Sequence, residues 1–575
     1  MDSANRPSGP LPGPRSAIAD LALVLGLYVV AILVAGPRGD FPINDDWSWA
    51  YATRRLLYDH IWEPTGFTSM PLITHSLWGG AFCLAAHNCT YETLRLSNVI
   101  AGMLAVGFTY GSGREIGLSR FRSLLPAAML ASTPLFFSQS LTSMTDITFV
   151  GFAAPTMYFF LRALRRRTVR DVVLAAALSV IATLCRQLGP FLAAGFAVAV
   201  LVRDGISMRS LLRALWPGAV SAIALITFNG WMKHQGVTPS MYSLQNDGIV
   251  AALRHPPTLV RNVLDIAAVF LTYLGLFCAP YLVAERSPSL GPSRWARALA
   301  IAGVLFAIGV QVRRVHNSGR FPFAGNILNA FGIGPHPLVP LFSLPDSIFT
   351  RLLLGPGWWV VTALGIAGGG ALMYRLIAIA WRTVAAWRER SAVAPATEAF
   401  FLVSAIVFAA PLLLFGNMYD RYILPMMLVV PFLGATLGPV TGASRARKVV
   451  GGALIAIFAC ISICWGHDFM SWNRARWTLT NRALANGVPE RDLNGGFEFT
   501  YPVCWSPGPS CDIPTQKRTY ATYIVTYAPL GGFRQIDAEP YTLWLPHAHR
   551  SILLSRRDQS AALLPPETKA ILHLQ

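Results

Sequence analysis

Charge is scarce in this chain. Only 13% of its 575 residues are Asp, Glu, Lys or Arg, where about 25% is usual for a globular domain; an ordinary soluble protein of this length is excluded. Lysine is scarcer still, since the 47 basic residues include just Lys233, Lys448, Lys517 and Lys569. Any phosphate held here therefore falls to arginine, whose planar fork suits the task. Acidic residues number 28, leaving a net charge of +19. In a soluble protein that excess would raise the question of nucleic acid; here the basic residues lie mostly between apolar runs, which points to membrane topology, with no nucleic-acid partner. No Cys-x-x-Cys pair has the company of a metal site. No internal repeat of the kind found in inverted-repeat transporters is visible.

What is present is hydrophobic. Apolar residues make up 54% of the chain, mean hydropathy is +0.47, and many apolar runs approach or exceed the roughly 18 residues that read as membrane spans. The first, 17–36, follows a Pro-rich tail and is longer than a signal-peptide core, so it reads as a retained anchor. Further spans are expected near 93–112, 123–138, 147–161, 172–185, 188–202, 213–231, 263–284, 298–312, 357–380, 399–415, 422–440 and 449–465, about thirteen in all. Alternating the loops puts about 23 Lys and Arg on the N-terminal side, among them Arg162, Arg165, Arg166, Arg167, Arg445, Arg447 and Lys448, against about 12 opposite. The N-terminus is thus expected in the cytoplasm, with residues 466–575 outside. That region has strand-like alternation (Phe497 to Tyr501, Thr519 to Val525) and turn-forming Gly and Pro, so it reads as a small α/β or β-rich domain. The expected fold is an α-helical polytopic membrane protein, 1–465, whose first external loop, 37–92, carries interfacial helices, followed by a soluble domain, 466–575. Cys504 with Cys511, and Cys83 with Cys89, can close short disulfides in an oxidising compartment. Cys185, Cys278, Cys460 and Cys464 sit in apolar spans and read as packing residues.

Four constellations carry chemistry. In the first loop Asp45 and Asp46 precede Trp47, Trp49 and Tyr51. Adjacent carboxylates there can hold a general base at the membrane surface, or form a solvated turn that caps a helix starting at Trp47. The same loop continues through Gly66 to His75 toward the second span. Second, Asp146 follows a polar hinge, Ser138 to Thr145, and reads as a functional group, an N-cap, or both. Third, Arg186 interrupts an apolar stretch and needs an anion: a lipid phosphate, or a structural partner such as Asp146. Fourth, Asp420, Arg421 and Tyr422 open a late apolar run; the two charges can brace each other or cap it, or Arg421 can take a phosphate. Arg313, Arg314, His316 and Arg320 add cationic capacity or a solvated loop. Carboxylates and arginines converging on one face among aromatics suit chemistry on an amphipathic phosphate-bearing substrate better than ion conduction.

With these motifs the sequence resembles the GT-C superfamily of membrane glycosyltransferases, and within it the family 39 type, the protein O-mannosyltransferases and lipid A aminoarabinose transferases. Asp45-Asp46 looks like that family's Asp-(Asp/Glu) pair. Leu94-Arg95 with Asn98, Pro134 ahead of Met144-Thr145-Asp146, and Arg421-Tyr422 with Pro425 fall in the family's order. Two departures are Gly66 to Pro71, where many bacterial members have a His-Pro-Pro stretch, and Arg186, where lysine is frequent.

The resemblance implies a bacterial inner-membrane enzyme of the cell envelope that takes a polyprenyl-phosphate sugar and a lipid, glycan or protein acceptor, with membrane lipids around it. Asp45 would accept the acceptor hydroxyl's proton as it inverts the anomeric centre. Asp46 and Asp146 would orient acceptor or base. Arg186 and Arg421, with Tyr422, Arg313 and Arg320, would hold the donor phosphate, and Trp47 and His75 fall to the acceptor side or the loop itself. A divalent metal is required in some branches and absent from others, so it stays open. The alternatives are a transporter of an anionic or lipid-linked substrate and a lipid-linked glycan polymerase or ligase.

Overall fold

In hydrocarbon every backbone N–H and C=O must be bonded within the segment, so the long runs of Leu, Val, Ala, Ile and Phe become helices. The computed structural model describes residues 14–242, 250, 253–287, 289–329, 332–334, 338, 353–388, 394–415, 418–436, 444–500 and 521–558. After α1 (Pro14–Ala35), the first loop carries α2 (Asp46–Arg54), prolonged by a π-turn over Arg55–Asp59, and α3 (Ile73–Ala86). Then come α4 (Tyr91–Glu115), α5 (Arg120–Ser132), α6 (Pro134–Ser140), α7 (Thr145–Arg166), α8 (Val169–Cys185), α9 (Phe191–Asp204) and α10 (Met208–His234). The later helices are α11 (Pro256–Phe277), α12 (Ala279–Ala284), α13 (Arg294–Ser318), α14 (Trp358–Arg388), α15 (Ala394–Phe415), α16 (Met426–Val429), α17 (Arg445–Ala485) and α18 (Phe497–Thr500).

Among the described residues eight helices are long and apolar enough to cross a membrane: α1, α7, α10, α11, α13, α14, α15 and α17. They differ in what they face. The apolar window of α7 is 78% buried and that of α10 only 17%, so α7 is central, while α10 presents Leu212, Leu215, Ile223 and Ile226 outward. Close approach explains part of this: a Cβ on Gly151 of α7 would lie 2.7 Å from the Ala101 carbonyl of α4.

The expected count of about thirteen included apolar runs that the structure uses differently. Pro134 splits 123–138 into α5 and α6, because proline cannot donate to the preceding turn. The run 422–440 gives no continuous helix. Asp420–Ile423, α16 and Val430–Phe432 are short turns punctuated by Pro425 and Pro431, and Ile423, Leu424, Met427, Leu428 and Val429 are wholly buried. Those residues are apolar because protein surrounds them.

The C-terminal region forms a four-stranded sheet in the order β3-β4-β6-β5; β1 (Leu328–Asn329) and β2 (Gly332–Ile333) make a separate small hairpin. Here β3 is Leu493–Asn494, β4 Tyr523–Thr526, β5 Phe533–Trp544 and β6 His547–Arg557. Among the described strands only β3 and β4 pair in parallel. The sheet rests on the distal part of α17, where Asp468 accepts the Trp544 and Leu545 amides at 2.6 and 3.0 Å and Trp472 meets Tyr527 edge-on. Phe497 to Thr500, read from sequence as strand, is instead the short helix α18.

Cys83 and Cys89 are joined, while Cys504 and Cys511 lie outside the described residues. Cys185 and Cys278 are buried as expected of packing residues; Cys460 is exposed on α17 instead. Proteolytic mapping without reduction should recover Cys83 and Cys89 in one linked species, resolved only by a reducing agent. Recovery of both as alkylated thiols would refute the bridge.

Candidate active site

The site begins with a turn. Asn44 has a φ of 57°, a left-handed conformation that Asn tolerates better than most residues, and it swings the chain so that α2 starts at Asp46. Asp45 sits at the N-cap position without a side-chain capping bond. Both carboxylates are buried, so the solvated turn read as one option from sequence does not form. Their environments differ. The two oxygens of Asp46 accept the Ile43 amide at 2.6 Å and the Ser143 amide at 3.3 Å. Asp46 therefore bolts the first loop to the hinge before α7. Burial pushes its carboxyl up to about 7, against the opposing pull of Arg95 and those two amides.

Asp45 turns toward charge. Its Oδ2 accepts from Nη2 of Arg421 at 3.2 Å, and Arg421 Nη1 donates to Asn326 at 2.9 Å. Arg421 Nε lies 3.8 Å from Asp146 Oδ2, and the other Asp146 oxygen is held by Arg186. The result is an alternating chain, Asp45–Arg421–Asp146–Arg186, neutral in total, with the first three buried and Arg186 partly exposed at its end. Tyr422 packs beneath Arg186, whose guanidinium is 5.2 Å from the ring centroid, and Tyr419 sits 5.1 Å from Arg421. Burial raises the Asp45 carboxyl above the ordinary aspartate range, and the Arg421 charge holds it back only in part.

Neither Arg186 nor Arg421 is left without a partner. Each already has a carboxylate, which is the structural partnership weighed for Arg186. Asp146 makes no N-cap; it is the second residue of α7, whose N-cap is Met144. Asp420 does not brace the Arg421 guanidinium. It accepts the Ile327 and Leu328 amides at 3.0 and 2.6 Å and fixes the loop that brings Asn326 to Arg421. Burial moves its carboxyl up to about 6.

His75 is buried behind the site. Its Nδ1 is 2.8 Å from Thr148 Oγ1, which donates to Asn98 Oδ1 at 2.8 Å. Asn98 donates in turn to the Thr142 and Met144 carbonyls, so this chain shapes the hinge that presents Asp146. Burial lowers His75 to about 4 and leaves it neutral at pH 7. Arg95 donates to the Gly39 carbonyl at 2.6 Å and to that of Phe41, a clamp on the chain leaving α1.

Two pockets flank the cluster. A pocket of about 370 Å³ is lined by Trp47, Tyr51, Tyr58, Tyr91, Arg54 and Asp59. The second, about 480 Å³, is lined by Arg261, Asn262, Asp265, Arg314, Gly325 and Tyr419 among others. Around Asp265 three guanidinium groups converge, Arg313 at 2.8 Å, Arg261 at 3.7 Å and Arg314 at 4.0 Å. Arg313 thus pairs with a residue of this second pocket without lining it, and Arg320 lies two residues past the end of α13. The sequence reading passed over Arg261, Asp265 and Asn326; a basic residue four before an acidic one at the start of an apolar run was the available signal for the first two.

Among the described residues no three His, Cys, Asp or Glu side chains gather as a metal-binding group. Asp45 and Asp146 do not fit a divalent cation either, because the Arg421 guanidinium lies between them.

These features define a multi-pass α-helical membrane protein with a buried, charge-alternating cluster at one end of its bundle. The family model for dolichyl-phosphate-mannose-protein mannosyltransferase matches residues 71–233, and over that stretch the chain is similar to that family. No curated protein sequence matches it. Among solved structures, the Archaeoglobus fulgidus oligosaccharyltransferase tethered to an acceptor peptide is 17% identical with a TM-score of 0.40, covering 78% of this chain and 55% of that one. The oligosaccharyltransferase AglB of the same organism, in complex with an inhibitory peptide and a dolichol-phosphate, is 16% identical with a TM-score of 0.36, covering 80% and 58%. ArnT from Cupriavidus metallidurans bound to undecaprenyl phosphate is 15% identical with a TM-score of 0.39, covering 96% and 100%. The chain spans little more than half of either archaeal chain.

Proposed function

We propose that the protein is an inverting glycosyltransferase that moves a sugar from a polyprenyl-phosphate donor to a hydroxyl of a lipid, glycan or protein acceptor at the outer face of a bacterial inner membrane. The observation that carries this reading is Asp45, a buried carboxylate just past the first span with one oxygen on Arg421. Asp45 takes the proton of the acceptor hydroxyl while that oxygen bonds to the anomeric carbon. The bond from that carbon to the donor phosphate breaks, and its electron pair leaves with the polyprenyl phosphate.

Arg186 and Arg421 stabilise the departing phosphate. Both are already paired, so the phosphate gains them in competition with Asp146 and does not fill an empty cationic site. Arg421 Nε and Asp146 Oδ2, without hydrogen bonds of their own, are the atoms free to rearrange. The pocket lined by Arg261 and Arg314, with Arg313 paired to its Asp265, supplies an excess of positive charge beside Tyr419, with Arg320 nearby in sequence. The aromatic pocket beside Trp47 suits an acceptor. Orientation draws on the basic-loop asymmetry and on the Cys83–Cys89 bridge, since disulfides persist in oxidising compartments. It puts the N-terminus in the cytoplasm and residues 466–575 outside.

The test is purified protein with a panel of radiolabelled polyprenyl-phosphate sugars. One or more should be consumed with release of polyprenyl phosphate; if the panel is neither bound nor consumed, the reading is wrong.

A further inference from the structure

The C-terminal region reaches into the site. Glu498, on α18, is 2% exposed and its partner Arg476, on α17, is fully buried. Their ion pair measures 2.7 Å through Glu498 Oε2. The other Glu498 oxygen accepts the backbone N–H of Asn44 at 2.8 Å. Asn44 is the left-handed residue immediately before Asp45, and that N–H has its bonding partner 454 positions away. Aromatic contacts reinforce the junction: Phe497 meets Phe67, which meets Trp47, and Trp477 stacks on Phe41 while touching Phe499.

A carboxylate that is itself buried and charge-paired is a costly way to satisfy one amide, since desolvating two charges offsets much of their attraction. What it provides at this position is direction. The turn at Asn44 sets where the Asp45 side chain points, and the Asp45 oxygens are the ones facing Arg421. Resting on the reading of Asp45 as general base, we infer that Glu498 is a positioning residue for it, so that the C-terminal region completes the active site. Glu498 touches neither substrate nor reacting atom; it acts through the backbone of residue 44. Arg476 holds its other oxygen and so orients it, and β3, which pairs with β4, leads into α18 and ties this support to the sheet.

Removing Glu498 alone would strand Arg476, so the comparison uses two double variants that both lack the buried charges. In Arg476→Met with Glu498→Gln, the amide oxygen still accepts from Asn44. In Arg476→Met with Glu498→Ala, nothing does. With full-length protein in nanodiscs, the Gln variant should turn over within a few fold of wild type. The Ala variant should fall by roughly 10- to 100-fold in kcat, the scale of a small misplacement of a reacting group, with donor KM within about threefold. Hydrogen–deuterium exchange over residues 41–46 should quicken only in the Ala variant. Equal kcat in the two doubles, each folded and binding donor alike, overturns the inference. Equal exchange over 41–46 overturns it too, and that readout needs no turnover. A protein with no transferase activity at all but with Ala-specific exchange would instead refute the functional reading and leave the Glu498–Asn44 coupling standing.

Discussion

Asp45→Asn is expected to leave the protein folded and able to bind donor while turnover falls by roughly 10²- to 10⁴-fold, the contribution of a general base. Asparagine has the same shape, and its Oδ1 still accepts from Arg421 Nη2 where the carboxylate does at 3.2 Å. Arg421 loses one negative neighbour but keeps Asp146, so no cation is left buried alone. What disappears is the basic oxygen. The pH profile carries the same information. The base works only when ionised, and burial holds its pKa above the ordinary aspartate value. Wild-type turnover should therefore decline as pH falls through a value above about 3.9. Asp46→Asn is the control that resembles it on paper and differs in physics. Both Asp46 oxygens accept backbone amides, and an amide side chain can satisfy only one of them. That substitution should cost on the order of 1–3 kcal/mol in stability and less in turnover than Asp45→Asn. Turnover assays and thermal unfolding of both variants decide it: if Asp46→Asn is the inactive one, the base has been assigned to the wrong carboxylate.

Charge in an apolar setting is expensive, and that is why the four members of the alternating chain were legible in the sequence. Asp45, Asp146, Arg186 and Arg421 each stand at the edge of an apolar run. Their mutual pairing was less legible, because Arg421 meets Asp45 across 376 positions and no local pattern reports such a contact. Glu498 was hidden for a different reason. Phe497-Glu498-Phe499-Thr500-Tyr501 alternates like a half-buried strand, and the alternation masks a four-residue helix whose acidic side chain points into the protein. The helical membrane fold follows from hydropathy alone, yet the number of spans does not. Leu424 and Val429 are as apolar as any lipid-facing residue but are buried by protein, whereas Ile223 and Ile226 on α10 are exposed on the helix surface. Hydropathy measures dislike of water and is silent on which apolar neighbour replaces it.

Arg421→Gln is expected to be the most damaging single change in the cluster, acting on stability and turnover together. The Arg421 side chain is 7% exposed and its guanidinium lies between two carboxylates. Removing it leaves Asp45 buried without a countercharge, and breaking a buried pair from one side typically costs about 3–5 kcal/mol. Turnover loses a preorganised donor to the leaving phosphate, an effect on the order of 10²- to 10³-fold. It also loses base, because the Arg421 charge lowers the Asp45 pKa; without it that pKa rises, and less of the carboxylate is ionised at any given pH. The two effects separate in the double variant Arg421→Gln with Asp45→Asn. It restores neutrality while leaving the Asp146–Arg186 pair untouched, so thermal stability should return most of the way to wild type. Turnover should not return, since neither base nor phosphate ligand has been replaced. A double variant as unstable as the single would mean that Arg421 supports the fold mainly through Asn326 and Tyr419, and a single variant with wild-type turnover would remove Arg421 from the mechanism.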